Sequence, residues 1–131
     1  YTSTKYTIAD QLPWLGDSCV VECAGMGGMA AAASPIVCNL RGLTLKDSIK
    51  QTRNMEKICI TKNPNFVIPN LDFDCIPVGI DIRKVVSTGI EPNIHGGMFN
   101  IIGGLIGAGM GKIPMLCFEK ALRAFANKYN N

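Results

Sequence analysis

Between Gly89 and Gly111 the chain carries eight glycines in 23 residues, and most of the residues separating them are apolar. Glycine costs a helix interior about 1 kcal/mol relative to alanine, so this stretch is too glycine-rich for ordinary helix. It is also too apolar for a flexible tether. A second cluster, Gly25-Met26-Gly27-Gly28, sits between the short apolar run Ser18 to Cys23 and Met29 with its four following alanines. Any fold must accommodate two segments whose backbone, rather than side chains, faces whatever lies next to them.

The 131 residues suffice for one domain. For this mass, surface scaling gives about 6,700 Å² exposed when folded against about 20,400 Å² for the extended chain, enough for one core. The apolar fraction is 47% and the charged fraction only 18%, below the usual level of about 25%. That surface is thinly charged for a free monomer and predicts burial against a partner or the rest of a larger polypeptide. The net charge is +3, and the basic residues are scattered, with Arg83-Lys84 as the densest pair. A polynucleotide backbone requires a clustered stripe, so nucleic acid is not the expected partner. The run Ile101 to Gly111 is too short to cross a bilayer as a helix, and Lys112 closes it, so no membrane partner is expected either. Six cysteines with apolar neighbours read as small buried hydrophobes in a reducing, cytoplasmic setting.

Local patterns predict an α/β or α+β domain. Pro13 to Gly16 reads as a turn anchored by Trp14, and Ser18 to Cys23 as a strand. A helix is expected from near Gly28 through the alanines, broken around Pro35, which lacks an amide donor. Thr44 is a good N-cap with Asp47 at N3, opening a helix whose apolar flank runs through Leu45, Ile49, Met55, Ile58 and Cys59. Asn63-Pro64-Asn65 stops it, and Phe66 to Ile68 suggests a strand. Leu71 and Phe73 alternate with Asp72 and Asp74, which would share the opposite face. A short helix from Asp81 to Thr88 ends at Gly89. The last helix begins at Pro114 and carries an amphipathic stripe of Met115, Phe118, Leu122, Phe125 and Tyr129.

Several residues are placed to carry chemistry. Gly25, Gly27 and Gly28 follow the first apolar run and precede a helix, an arrangement whose amides hold phosphate or carboxylate, or else permit close packing. Glu22, beside that turn, is an acid–base candidate or a structural partner; burial among apolar neighbours raises a carboxyl pKa unless it is paired. Asp81 and Arg83 offer a planar grip on a carboxylate or phosphate, or pair with each other. His95, the only histidine, sits beside Gly96 and Gly97. Gly107 and Gly109, with Lys112 just beyond, form a candidate second amide nest. Asp72 and Asp74 lack a third ligand at a diagnostic spacing, so no metal and no cofactor is expected.

Taken together, Pro13 to Asp17, Val21 to Ala33, Ile68 to Phe73, Pro77 to Val86, Ile106 to Gly109 and Pro114 to Leu122 resemble, in order, the carboxy-terminal part of the family catalogued as domain of unknown function 1116. The resemblance implies that residues 1–131 are the last domain of a longer multidomain protein. It also implies oligomeric assembly with that protein's amino-terminal portion or with other subunits. Some relatives are subunits of the oxamate carbamoyltransferase of allantoin breakdown, which converts oxalurate and phosphate into oxamate and carbamoyl phosphate. By that resemblance the ligand is a small anionic metabolite. Arg83 would take its carboxylate or phosphate, the glycine amides its oxyanion, and Glu22 or Asp81 would orient it or move a proton. The expected site thus has both glycine turns converging with Arg83 on one anion. Relatives carry a Thr-Gly-Ile-Ala-His-Lys stretch ahead of Ile-Gly-Ala-Gly; here the region reads His95 to Ile102, shorter and without clear equivalents of that histidine and lysine.

Overall fold

The four alanines after Met29 do not form the α-helix that their propensity favours. In the computed structural model, which describes residues 5–13 and 19–129, they complete a 3₁₀ segment, Gly27–Ala33. Gly27 enters it at φ 59°, and Ala30 leaves helical geometry altogether at φ −116°, ψ 42°. Pro35 disfavours α conformation at Ser34, which sits at φ −133°, ψ 76°, so the segment ends there. Pro35 then takes the first position of a new helix, α2 (Pro35–Leu40), where its missing N–H costs nothing.

This segment runs through the centre of the molecule. Met29 belongs to one apolar cluster with Met55, Ile58, Cys59 and Val85, while Ala30 and Ala32 belong to a second with Ile68, Leu71 and Ile76. A 3₁₀ backbone satisfies its own polar groups poorly, and here side chains from elsewhere supply partners. The Ala32 amide donates to Thr52 Oγ1 (3.0 Å), Asn70 Nδ2 donates to the Ala32 carbonyl (3.0 Å), and the Gly28 amide donates to Glu22 Oε1 (2.7 Å).

Around it lie α1 (Cys19–Cys23), α3 (Leu45–Glu56), α4 (Ile82–Thr88) and α5 (Met115–Tyr129), with two antiparallel ribbons. One pairs β1 (Cys59–Ile68) with β2 (Asp74–Ile80); the other pairs β3 (Asn93–Phe99) with β4 (Leu105–Lys112). With both sheets antiparallel, the fold is α+β, a mixed single domain.

Three helices follow their local signals. Thr44 and Asp47 form the capping box of α3. Asp81 caps α4, whose carboxyl end is closed by Gly89 at φ 68°. Pro114 precedes α5, whose Met115 and Phe118 pack on the core while Phe125 and Tyr129 stack on each other (4.7 Å between centroids) and remain exposed. Among the described residues α5 buries no side chain completely.

Other expectations are corrected. The run expected to be a strand before Cys23 is helix α1, because turns closing from Gly25 to Glu22 and from Met26 to Val21 point Glu22 inward and leave Val20 and Val21 exposed. The turn at Trp14 lies outside the described residues. Helix α3 stops at Glu56, and Cys59 already begins β1, which continues through Asn63-Pro64-Asn65 with a bulge between Asn63 and Val67. A ribbon strand has an unpaired edge, where proline is tolerated. Leu71 and Phe73 do not alternate as in a strand. Leu71 is buried, whereas Asp72 and Phe73 turn the chain at φ 56° and 60°, leaving Phe73 exposed. Asp74 instead faces Lys62 and Arg53 (2.6 Å from Arg53), whose contacts, with the Cys75 amide, hold its carboxyl well below the usual range. The cysteines described in full are free thiols: Cys38 and Cys59 buried, Cys75 half-buried, Cys23 and Cys117 exposed.

Gly25 and Gly28 serve close packing. A Cβ on Gly28 would lie 2.3 Å from the Asn93 carbonyl oxygen, and one on Gly25 2.4 Å from that of Pro77. Gly28→Ala is therefore expected to cost about 1–3 kcal/mol as the ribbon is forced off the 3₁₀ segment. Urea denaturation measures this, and an unchanged midpoint would contradict the packing described.

Candidate functional site

Glu22 is the organising group. Helix α1 turns it inward until its side chain is 2% exposed. Oε1 then accepts from the Gly28 amide (2.7 Å) and from the His95 amide (3.1 Å), tying the first glycine turn to β3. Gly27 is required for this approach, since a Cβ there would meet Oε1 at 2.2 Å. The amide-lined turn thus holds a carboxylate, and it is the chain's own. The second oxygen, Oε2, is buried with no hydrogen-bond partner among the described residues.

The His95 side chain meets Arg41, at the carboxyl end of α2. Arg41 Nη1 donates to His95 Nε2 (2.8 Å), and Nη2 lies 3.4 Å from the thioether of Met110 on β4. Arginine has no acceptor, so Nε2 receives, and the neutral imidazole keeps its proton on Nδ1. Burial, helped by the Arg41 charge and opposed by Glu22, pushes the His95 pKa below its ordinary value of 6.5. Arg53, Lys62, Arg83 and Lys112 each face a carboxylate. Arg41 faces only neutral acceptors among the described residues. No sequence motif announced it, because 54 positions separate it from His95.

Two open grooves flank His95. One, of about 500 Å³, lies between Val37 and Leu40 of α2 and the ribbon residues Gly97, Gly107 and Gly109. The other, of about 400 Å³, is bordered by Met26, Gly27, Val37 and Phe66. Both linings are mainly apolar, with glycine backbone and the imidazole between them.

The structure therefore brings together Glu22, Gly27, Gly28, His95, Gly97, Gly107 and Gly109. The expected second nest is instead strand: Gly96 pairs with Gly109 and Met98 with Gly107 within the ribbon. Asp81 and Arg83 line a separate groove with Ile60 and Phe125. There the guanidinium donates to Asp81 (Nη2 to Oδ2, 2.7 Å), holding that carboxyl down at about 2. Lys112 faces Glu91 at 3.8 Å. Among the described residues no three His, Cys, Asp or Glu side chains gather as a metal site, and no helix is long and apolar enough to cross a membrane.

Glu22→Ala removes the acceptor of two amides and is expected to destabilise the protein by about 1–3 kcal/mol for each N–H left buried, whereas Glu22→Gln keeps a carbonyl there and loses less. Equal losses in urea denaturation would refute the acceptor role. For His95, the unfolded chain takes up a proton near pH 6.5 while the folded imidazole resists it. The stabilising contribution is thus complete above pH 6.5 and is lost as pH falls through the folded pKa. His95→Gln should flatten the decline in denaturation midpoint below pH 6.5; an identical decline in the variant would count against it.

No family model matches the chain. It is 39% identical over 117 residues to the uncharacterized protein YahG of Escherichia coli K12, a match covering 88% of this chain and 25% of that protein. It is 38% identical over 117 residues to the oxamate carbamoyltransferase subunit AllG of the same organism, covering 87% of this chain and 28% of the subunit. A crystal structure of a conserved protein of unknown function from Enterococcus faecalis V583 superposes with a TM-score of 0.87 at 38% identity, covering 95% of this chain and 30% of that one. The chain thus spans between a quarter and a third of the proteins it matches, and one of them is a subunit of a carbamoyltransferase.

Proposed function

We propose that residues 1–131 form the carboxy-terminal domain of a carbamoyltransferase-like subunit of the family of domain of unknown function 1116, acting in the cytoplasm on oxamate or oxalurate and carbamoyl phosphate. The observation carrying this reading is the 38% identity to the oxamate carbamoyltransferase subunit along nearly all of this chain. In the phosphate-consuming direction, a phosphate oxygen attacks the carbamoyl carbon of oxalurate. The bond from that carbon to the oxamate nitrogen breaks, and the nitrogen takes up a proton. Such chemistry needs donors aimed at the charge developing on the carbamoyl oxygen. His95 and the backbone at Gly97, Gly107 and Gly109 border one groove where a small anion can approach closely. Glu22 orients the turn bearing Gly25, Gly27 and Gly28. Asp81 and Arg83, paired with each other in a separate groove, and Lys112, beside Glu91, stand outside that groove.

The domain completes its site against the rest of the protein or other subunits. The chain exposes 8097 Å², where a compact monomer of its mass exposes about 6,700 Å². Ile101, Ile102, Leu105, Phe125 and Tyr129 are among the apolar side chains left outside. That surface favours a second reading, a non-catalytic assembly or anion-binding domain whose apolar faces serve docking.

Turnover separates the two. The protein, assayed with its natural partner subunits, is expected to form carbamoyl phosphate from oxalurate and phosphate, and His95→Ala to lower kcat by on the order of a hundredfold. Full turnover in that variant, or none in the wild type, would leave the assembly reading standing.

A further inference from the structure

We infer that Arg41 is the carboxylate-binding residue of this domain, offering its guanidinium to a small planar carboxylate next to the His95 imidazole, which itself borders the groove between α2 and the β3–β4 ribbon. The inference rests on the proposed reading of the ligand as a small anionic metabolite, and it names the group that grips it.

Arg41 is half-buried, and its described contacts are a neutral imidazole at 2.8 Å and a thioether at 3.4 Å. A partly desolvated cation held by weak neutral acceptors is costly unless an anion joins it. Glu22 is linked to this network through the His95 amide, yet its Oε1 is committed to the amides of Gly28 and His95, and among the described residues it forms no ion pair with Arg41.

Geometry supplies the rest. Guanidinium has five N–H donors in a planar fork, and two of them account for both contacts, leaving three for a ligand. The imidazole that Arg41 touches lines both grooves. Beside it, Gly96, Gly97, Gly107 and Gly109 offer no side chain to block a small molecule. Arg41 itself is anchored where α2 ends: its amide bonds back to Asn39 and Cys38, and Gly42 turns the chain at φ 71°. Arg83, in contrast, already holds Asp81.

The test is titration of the protein, in its natural assembly, with oxamate and separately with inorganic phosphate, followed by calorimetry and by the imidazole nitrogen resonances of His95. Oxamate should bind and shift the His95 resonances. Arg41→Ala should weaken oxamate by at least about tenfold, the worth of a charged hydrogen bond. Arg41→Lys, which keeps the charge and guards against a misfolded alanine variant, should recover only part because it lacks the fork. Lys50→Ala, an exposed charge removed from α3, should bind as wild type. Oxamate affinity within twofold of wild type in both Arg41 variants would overturn the inference, as would phosphate binding at Arg41 in preference to oxamate. Oxamate binding through Arg41 without carbamoyl transfer would instead remove the proposed reaction and leave the clamp intact.

Discussion

A buried carboxylate holds the two glycine-rich regions of this domain together. Glu22 Oε1 accepts from Gly28 on the 3₁₀ segment and from His95 on the ribbon, and Gly27 leaves the room it needs. Each N–H it satisfies would otherwise be a buried donor without a partner. Around that contact the remaining demands follow: Thr52 and Asn70 take the other polar groups of the central segment, and Met29, Ala30 and Ala32 fill the two apolar clusters. The centre of the molecule is thus built from backbone and small residues, with side chains from neighbouring elements completing its hydrogen bonds.

What could be read in the sequence was local. Helix α3 declared itself through Thr44 and Asp47, α4 through Asp81 and Gly89, and α5 through Pro114 and its stripe, because caps and periodicity act within a few residues. The alanines suggested α-helix, and only tertiary partners such as Thr52 make a 3₁₀ path tolerable. Val20 and Val21 suggested a strand, yet no neighbouring strand is present among the described residues to pair with them. The glycines of the ribbon erased the alternation by which β3 and β4 would have been recognised.

The site divides in the same way. Glu22, the first glycine turn and His95 were visible as unusual residues in unusual company. That Glu22 would fill the amide turn itself was not, since this depends on a helix where a strand was expected. Arg41 carried no local signal at all; its meaning comes from a side chain that reaches across the fold to β3. Asp81 and Arg83, two positions apart, satisfy each other locally. Their nearness in sequence made them prominent and also accounts for their pairing.

The β3–β4 ribbon has a further implication. Between Asn93 and Gly111 there is neither an acidic residue, nor a lysine or arginine, nor a proline, and β4 is joined to β3 on one side with no described strand on its other. Proteins ordinarily guard such a margin with charge or proline, because a bare row of main-chain donors and acceptors invites another chain to zip along it. Residues 93–111 supply neither of these guards themselves, so the protection of this margin falls to whatever lies against β4.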